Sequence, residues 1–266
     1  MALVNFAKKL RNRSRFFAAG GMVIAGTVLV TSAVIYPGFT TADVNLNDGG
    51  IWVTNRSKNL VGHLNYQSKT LDGGFTATSA GFDVLQQASN VFMDNDSGSL
   101  LAGVDVPQMS LLPDTKLGGN KQISLGSGVL ALVDKAKKSV WAVTAGNAGS
   151  FDDKSSKPLL ENLANPVASV GLDDTIYVAD GQTGILTSIS LDAAGTVTGK
   201  KESKIEGLGT EAKLQITVVG DQVVIFDPSA SKLYLPGNKI VDVDQARGAQ
   251  LQQYSAGSSF VAIGYV

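Results

Sequence analysis

The stretch "VASVGLDDTIYVADGQTGIL", Val167–Leu186, contains two short apolar runs, with a tight turn between them and a longer turn after the second. Val, Ile and Tyr are typical of strands, whereas clustered Gly and Asp are typical of turns. The stretch therefore predicts two antiparallel strands joined as a hairpin, followed by a further strand that starts near Leu186.

The longer turn of this stretch recurs along the chain. The copies are "TNRSKNL" from Thr54, "DNDSGSL" from Asp94, "DKAKKSV" from Asp134, "DGQTGIL" from Asp180 and "DPSASKL" from Asp227. Their starts lie 40, 40, 46 and 47 residues apart, and an apolar residue follows each start at the sixth position. A β-rich run precedes each copy, and "GTVTGKKES" (Gly195–Ser203) has the composition of a fourth strand. The chain is therefore a repeat of short strands.

Four antiparallel strands every 40–47 residues are typical of the blades of a β-propeller. One twisted sheet cannot bury both of its faces alone, so we expect successive blades to pack face to face. Immunoglobulin-like sandwiches fit less well, because each needs about 100 residues. We predict an all-β, propeller-like array of about five four-stranded blades plus a partial sixth.

The partial sixth blade is predicted from "GAQLQQYS" and "SSFVAIGYV" near residue 266. The second of these runs would leave an apolar strand edge unpaired. We therefore expect an open array that continues in a longer protein with six to eight blades, and association through that edge when the domain is expressed alone.

The residues before the repeat are basic and apolar. Residues 16–36, "FFAAGGMVIAGTVLVTSAVIY", are 21 uncharged residues, enough to cross a bilayer as a helix. The five cations before this run are Lys8, Lys9, Arg11, Arg13 and Arg15, and they predict a cytoplasmic N-terminus. The predicted organisation is a cytoplasmic segment (1–15), a transmembrane helix (16–36), a linker (37–42) and an extracellular propeller-like domain (43–266). A signal peptide cleaved near Thr31–Ala33 is the alternative.

The composition excludes some classes of function. Beyond residue 42 the chain has 17 basic and 23 acidic side chains, and such an acidic body argues against nucleic-acid binding. The chain contains no Cys, which excludes disulfides and thiolate metal sites.

The stretch "MDNDSGSLLAGVD", Met93–Asp105, is similar to a calcium-binding loop. Asp94, Asp96 and Asp105 are the candidate metal ligands. However, the corresponding residues of the other repeats are mostly Lys, Ala, Gly, Pro and Ser, which offer no carboxylate. Asp at the start of a turn commonly accepts a hydrogen bond from the backbone two residues on. We therefore interpret these residues as parts of turns and predict no metal site.

Catalytic candidates are few. His63 is the single histidine, so a multi-histidine metal centre is excluded, and no nucleophile-elbow pattern accompanies it. Paired acids occur at Asp152–Asp153, at Asp173–Asp174 and at Asp242 and Asp244, where turn or solvated-strand roles are favoured. We predict no catalytic residue and no cofactor.

Two segments resemble a known family. "DGGIWVTNRSKNLVGHLNYQSKTLDGGF" (Asp48–Phe75) and "NVFMDND" (Asn90–Asp96), after a basic stretch and one membrane helix, resemble the N-terminal region of large actinobacterial envelope proteins. The resemblance implies a propeller-like region outside the membrane, followed in such proteins by immunoglobulin-like or fibronectin type III repeats. It supplies no catalytic residue.

From these observations we predict a membrane-anchored, extracellular interaction or scaffold module of a cell-envelope protein, which is not an enzyme. The expected partners are the membrane, through the N-terminal helix, and envelope proteins or polysaccharide. The alternatives are a propeller-type hydrolase or lyase, or a module that binds carbohydrate or cations at the propeller mouth.

Overall fold

The structure, a computed structural model, describes residues 50–209, 212–244, 248–252 and 263–265. The segments predicted to be cytoplasmic, membrane-spanning and linking (1–15, 16–36 and 37–42) lie outside these residues. Within the described residues no helix has the length and apolar character needed to span a bilayer. The membrane helix therefore stays a prediction.

Six antiparallel sheets follow one another along the described chain. The first contains β1 (Ile51–Asn55), β2 (Leu60–Asn65) and β3 (Thr70–Thr76). The second contains β4 (Asp83–Gln87), β5 (Asn90–Asn95), β6 (Leu100–Asp105), β7 (Ser110–Leu111) and β8 (Thr115–Lys116). The third contains β9 (Gln122–Leu125), β10 (Val129–Asp134) and β11 (Ser139–Thr144).

The later sheets continue the same meander. The fourth contains β12 (Pro166–Val170), β13 (Ile176–Asp180), β14 (Ile185–Leu191) and β15 (Val197–Lys204). The fifth contains β16 (Gln215–Val219), β17 (Gln222–Asp227), β18 (Lys232–Leu235) and β19 (Lys239–Asp242). The sixth contains β20 (Ala249–Leu251) and β21 (Ile263–Tyr265). Short 3-10 helices occupy Arg56–Lys58, Ala145–Ser150 and Pro236–Asn238.

The prediction of an all-β chain made of successive small sheets is confirmed, but four strands in every blade are not. The fourth and fifth sheets have four strands, and the predicted strand at Gly195–Ser203 is β15. The third sheet has three described strands. After β11 the chain instead forms a 3-10 helix, rich in Gly and Ala, and makes a single bridge from Val140 to Leu160.

The alignment of the first two turns was wrong by one residue. Strand pairing makes Asn55, opposite Leu60, and Asn95, opposite Leu100, the counterparts of Asp134, opposite Ser139. The apolar pattern of the sequence aligns Thr54 and Asp94 with Asp134 instead. The cause is that Leu60 and Leu100 are each followed by a second apolar residue, and this second residue is the buried one.

Five apolar cores hold the sheets together, each between two successive sheets. Strand β10 illustrates the arrangement, because all six of its residues are buried. Leu130 and Leu132 lie in the core shared with the second sheet, whereas Val129, Ala131 and Val133 lie in the core shared with the fourth. Successive side chains of a strand point to opposite faces of its sheet, so β10 contributes to the cores on both sides.

Glutamine side chains tie neighbouring sheets together through their backbones. The Nε2 atoms of Gln86, Gln122 and Gln215, on first strands of three sheets, donate to backbone carbonyls of an adjacent repeat at N···O distances of 2.9, 3.2 and 3.4 Å. Amide–backbone bonds of this kind satisfy polar groups inside the stack and fix the position of one sheet against the next.

Candidate functional site

The three acidic residues of the calcium-like stretch belong to two separate turns. Asp94 Oδ1 accepts the Gly98 N–H at 2.7 Å within the β5–β6 turn. Asp105 lies at the far end of β6 and accepts the Gln108 N–H at 3.0 Å. Asp96 lies in the β5–β6 turn with φ +52°. Nowhere in the described part of the chain do three or more His, Asp or Glu residues form a group able to hold a metal ion.

Asp94 is nevertheless electrostatically unusual. It lies directly opposite Asp83 across the β4–β5 pair. Burial raises the pKa of the Asp94 carboxyl to about 6. The negative charge of Asp83 also raises this pKa, whereas the hydrogen bond from Gly98 lowers it. Both effects disfavour the ionised form.

His63 lies on β2 and is buried in the contact with the second sheet, with only 2% of its surface exposed. Its Nδ1 lies 2.6 Å from Asp72 Oδ1, and its ring centroid lies 5.0 Å from that of Trp52. The hydrogen bond with His63, and a second one from Asn65, lower the pKa of the Asp72 carboxyl. The imidazole is thus held by a carboxylate and an indole inside the sheet contact.

The paired acids have different roles from one another. Asp173 accepts the Thr175 N–H at 3.1 Å within its own turn, as predicted from the sequence. Its neighbour Asp174 reaches across to the third sheet and accepts the Gly128 N–H at 2.8 Å. Asp242 lies on the exposed strand β19.

A buried ion network in the third repeat was not predicted. Lys121 Nζ is fully buried and lies 2.8 Å from Asp134 Oδ2 and 3.1 Å from Asp153 Oδ2. The same Nζ lies 5.1 Å from the centre of the Trp141 ring, a cation–π distance. Lys137 also bonds Asp153. Burial works against ionisation of Asp134 and Asp153, but the bonded lysines lower the pKa of both carboxyls.

The first sheet exposes an apolar face on the side opposite the second sheet. We call this surface the outward face; it comprises Ile51, Val53, Leu60, Gly62, Leu64 and Leu71. The exposed fractions of Ile51, Leu60 and Leu71 are 49%, 41% and 64%. A concavity of about 580 Å³ is lined by four residues of this face, Val53, Leu60, Gly62 and Leu71, and by neighbouring residues that include Thr54, Asn55, Lys58 and the β3 segment from Gly73 to Thr76.

The outward face has the residue pattern of a sheet contact. Strand register makes Val91 the counterpart of Ile51, Met93 that of Val53, and Ala102 that of Gly62. These three counterparts are buried, and they lie in the core between the first and second sheets. The outward face therefore has the residues of a surface that packs against a neighbouring sheet, but no described sheet lies against it.

Comparison with known proteins yields structural likeness only. No family model and no curated protein matches the chain. Virginiamycin B lyase from Staphylococcus aureus is similar with a TM-score of 0.52 and 18% identity, over 74% of this chain and 67% of that chain. A functionally unknown protein from Desulfotomaculum acetoxidans has a TM-score of 0.55 and 12% identity, over 80% of this chain and 72% of that one.

Kluyveromyces lactis Hsv2 is similar with a TM-score of 0.50 and 12% identity, over 70% of this chain and 57% of that chain. These neighbours share one type of fold. The fold is β-propeller-like. The likeness extends to this architecture and to no particular activity, because identities of 12–18% leave the side chains free to differ. The propeller-like domain therefore has to be interpreted from its own surfaces.

Proposed function

We propose that the protein is a membrane-anchored, non-catalytic interaction or scaffold module, and that its propeller-like domain binds a protein of the cell envelope through the outward face of the first sheet. The observation that carries this proposal is the exposure of Ile51 and Val53, at 49% and 38%, because their counterparts in the second sheet, Val91 and Met93, are buried against the first sheet. The predicted helix at residues 16–36 supports the anchored part of the proposal.

The residues of the outward face indicate what kind of protein surface can bind to it. Among the described residues that line the concavity, Lys58 alone is charged, so this surface offers apolar burial rather than ion pairing. Burying an exposed aliphatic side chain is worth about 1.5–3 kcal/mol. Sheets pack face to face by interdigitating such side chains, so the matching surface is the apolar face of a β-rich protein.

The polar groups described above support a non-catalytic role. His63, Asp72, Lys121, Asp134 and Asp153 each hold another part of the fold through hydrogen bonds or ion pairs. The positions of His63, Lys121, Asp134 and Asp153 inside sheets and between turns account for the burial of these four side chains without a substrate.

Cysteine labelling tests the proposal, because the native chain contains no Cys. Leu71→Cys places a thiol on the outward face, and Tyr66→Cys places one at another exposed site, where the native side chain is 67% exposed. Both variants are labelled with a membrane-impermeant maleimide, on intact cells and as purified full chains.

We expect Tyr66→Cys to react in both settings, whereas Leu71→Cys should react when purified and be protected on cells. Equal reaction of Leu71→Cys in both settings would refute a partner on the outward face. Failure of Tyr66→Cys to react on intact cells, despite reaction after lysis, would refute the extracellular location.

A further inference from the structure

A second concavity lies among the third, fourth and fifth repeats, away from the outward face of the first sheet. Its volume is about 480 Å³, and its lining residues are Lys135, Asn165, Gln182, Lys213 and Leu214. Two cationic and two amide side chains thus surround one opening.

The topology explains why these residues meet. Lys135 directly follows β10 and Gln182 closely follows β13, so both lie where a second strand ends. Asn165 directly precedes β12, and Lys213 precedes β16 by two residues, so both lie where a first strand begins. Because neighbouring strands are antiparallel, the end of one and the start of the other lie at the same end of a sheet.

Backbone hydrogen bonds hold the floor of this concavity. The Gly181 N–H donates to the Asn165 carbonyl at 3.0 Å, and the Ala212 N–H donates to the Gly181 carbonyl at 3.0 Å. The Asn165 amide nitrogen donates to the Ala212 carbonyl at 2.7 Å. A side chain at Gly181 would place its Cβ 2.1 Å from the Ala212 oxygen, so this close approach requires glycine. The backbones that carry Gln182 and Lys213 are therefore fixed before any ligand arrives.

The two lysines have no ion-pair partner among the residues that the structure describes. Both are exposed, and neither takes part in a salt bridge there. The carboxylates that begin the adjacent turns are already engaged. Asp134 binds the Lys121 ammonium, and Asp180 accepts backbone N–H bonds from its own repeat. Burial opposes ionisation of Asp180, but these backbone bonds lower the pKa of its carboxyl.

We propose that this concavity binds a sugar-sized ligand that carries two carboxylate or phosphate groups. Two ammonium groups from different repeats, without an ion-pair partner among the described residues and in a domain that is acidic as a whole, match two separated anionic groups. The Gln182 amide supplies a donor and an acceptor for hydroxyl groups. The volume lies within the range of small-molecule sites, about 300–1,000 Å³.

Calorimetric titration of the full chain in detergent at low salt tests the site. The probes are digalacturonate for carboxylates and glucose 1,6-bisphosphate for phosphates, with neutral lactose as the control ligand. The variant Lys135→Gln/Lys213→Gln removes both cations. Lys157→Gln/Lys201→Gln changes the net charge equally at two exposed lysines elsewhere, and Lys135→Arg/Lys213→Arg keeps the charge.

We expect saturable binding of at least one charged probe, and the stronger probe identifies the anionic group. Removal of both cations should weaken this binding about tenfold or more, since the loss of even one charge-assisted hydrogen bond weakens binding about tenfold. The control variant Lys157→Gln/Lys201→Gln should change the affinity less than about twofold. The variant Lys135→Arg/Lys213→Arg should retain binding. Absence of binding by both charged probes, equal binding of lactose, or equal weakening in the two glutamine variants would overturn the proposal.

Discussion

Asp94 has an unfavourable environment for a charge, because it is partly desolvated and faces Asp83 across the strand pair. Its folded pKa of about 6 lies above the ordinary value of 3.8. The proton is therefore held more tightly in the folded state. The proton on Asp94 therefore stabilises the folded state relative to the unfolded state. This stabilisation is complete below about pH 4 and is lost as the pH rises through about 6.

We expect Asp94→Asn to remove this pH dependence and to be more stable than the native chain at pH 7 by about 1 kcal/mol. This figure is the free energy that corresponds to a shift of about two units in the pKa of Asp94, reduced because the carboxyl is partly exposed to solvent. The Asn oxygen keeps the acceptor for Gly98. Urea unfolding at pH 4 and pH 7 measures the difference, which should vanish at pH 4. A calcium-dependent gain in the native chain that the variant lacks would instead establish a metal site.

Lys121 neutralises two buried carboxylates, so its removal leaves Asp134 and Asp153 without their shared cation. We expect Lys121→Met to lower the free energy of unfolding by about 3–5 kcal/mol at pH 7. The exposed control Lys157→Met should change it by less than about 0.5 kcal/mol.

The pH response of Lys121→Met separates charge from packing. The pKa values of Asp134 and Asp153 are lowered in the native fold, so their stabilising contribution is present at neutral pH and lost as the pH falls below about 4. The difference between the variant and the native chain should therefore shrink in acid. A difference that stays constant from pH 7 to pH 3 would attribute the loss to packing alone.

At the scale of strands and turns, the β5–β6 turn departs from its counterparts. Asp134, Asp180 and Asp227 each accept N–H bonds from the turn that they begin. Asn95 is buried, and its amide atoms bond no group among the described residues. The reason lies in Asp96 and Ser97, which both have φ +52°, so that the turn directs the Gly98 N–H to Asp94 instead.

We expect Asn95→Leu to stabilise the fold by about 1 kcal/mol or more, because a buried amide without a partner costs about 1–3 kcal/mol and Leu is close to it in size. Thermal unfolding measures the change, with Asn55→Leu as a control at the exposed counterpart position of the first repeat. A lower melting temperature for Asn95→Leu would show that the amide has a stabilising partner.

Gly98 makes the close approach between this turn and the start of β9 possible. Its φ is +86°, and a Cβ there would lie 2.0 Å from the Lys121 carbonyl oxygen. We expect Gly98→Ala to cost about 2 kcal/mol or more in urea unfolding. Gly146→Ala is the matched control, since a Cβ at that position meets nothing within 4 Å; a similar loss in both variants would contradict this explanation.

The sequence predicts strand order well, since alternation and turn residues are local signals. It misplaces the register of the first two repeats, because Leu60 and Val61 satisfy the same apolar rule. The burial of Lys121 depends on Asp153, which lies 32 residues away and carries no local signal. The outward face is equally hidden in the sequence, because a strand pattern is the same whether or not a neighbour covers it.

At the scale of the whole molecule, the domain is held together by contacts between successive sheets. Each of the five cores of the described residues joins two successive sheets, and the chain completes one sheet before it begins the next. Stability in such arrays is close to a sum of unit and interface contributions. Among the described interfaces, loss of the first or the sixth sheet removes one, whereas loss of any sheet between them removes two.

This order of assembly has a mechanical consequence if the chain is anchored at its N-terminus, as proposed above. Tension applied along the chain loads the end sheets first, and each sheet that yields releases a single repeat while the inner interfaces stay intact. With repeats of about 40–47 residues, optical tweezers should record successive lengthening steps of roughly 130–170 Å, since an extended residue spans about 3.3–3.6 Å. One rupture that releases the whole domain would show that the sheets yield together. Stepwise yielding would let the protein lengthen under load and shorten again when the load falls.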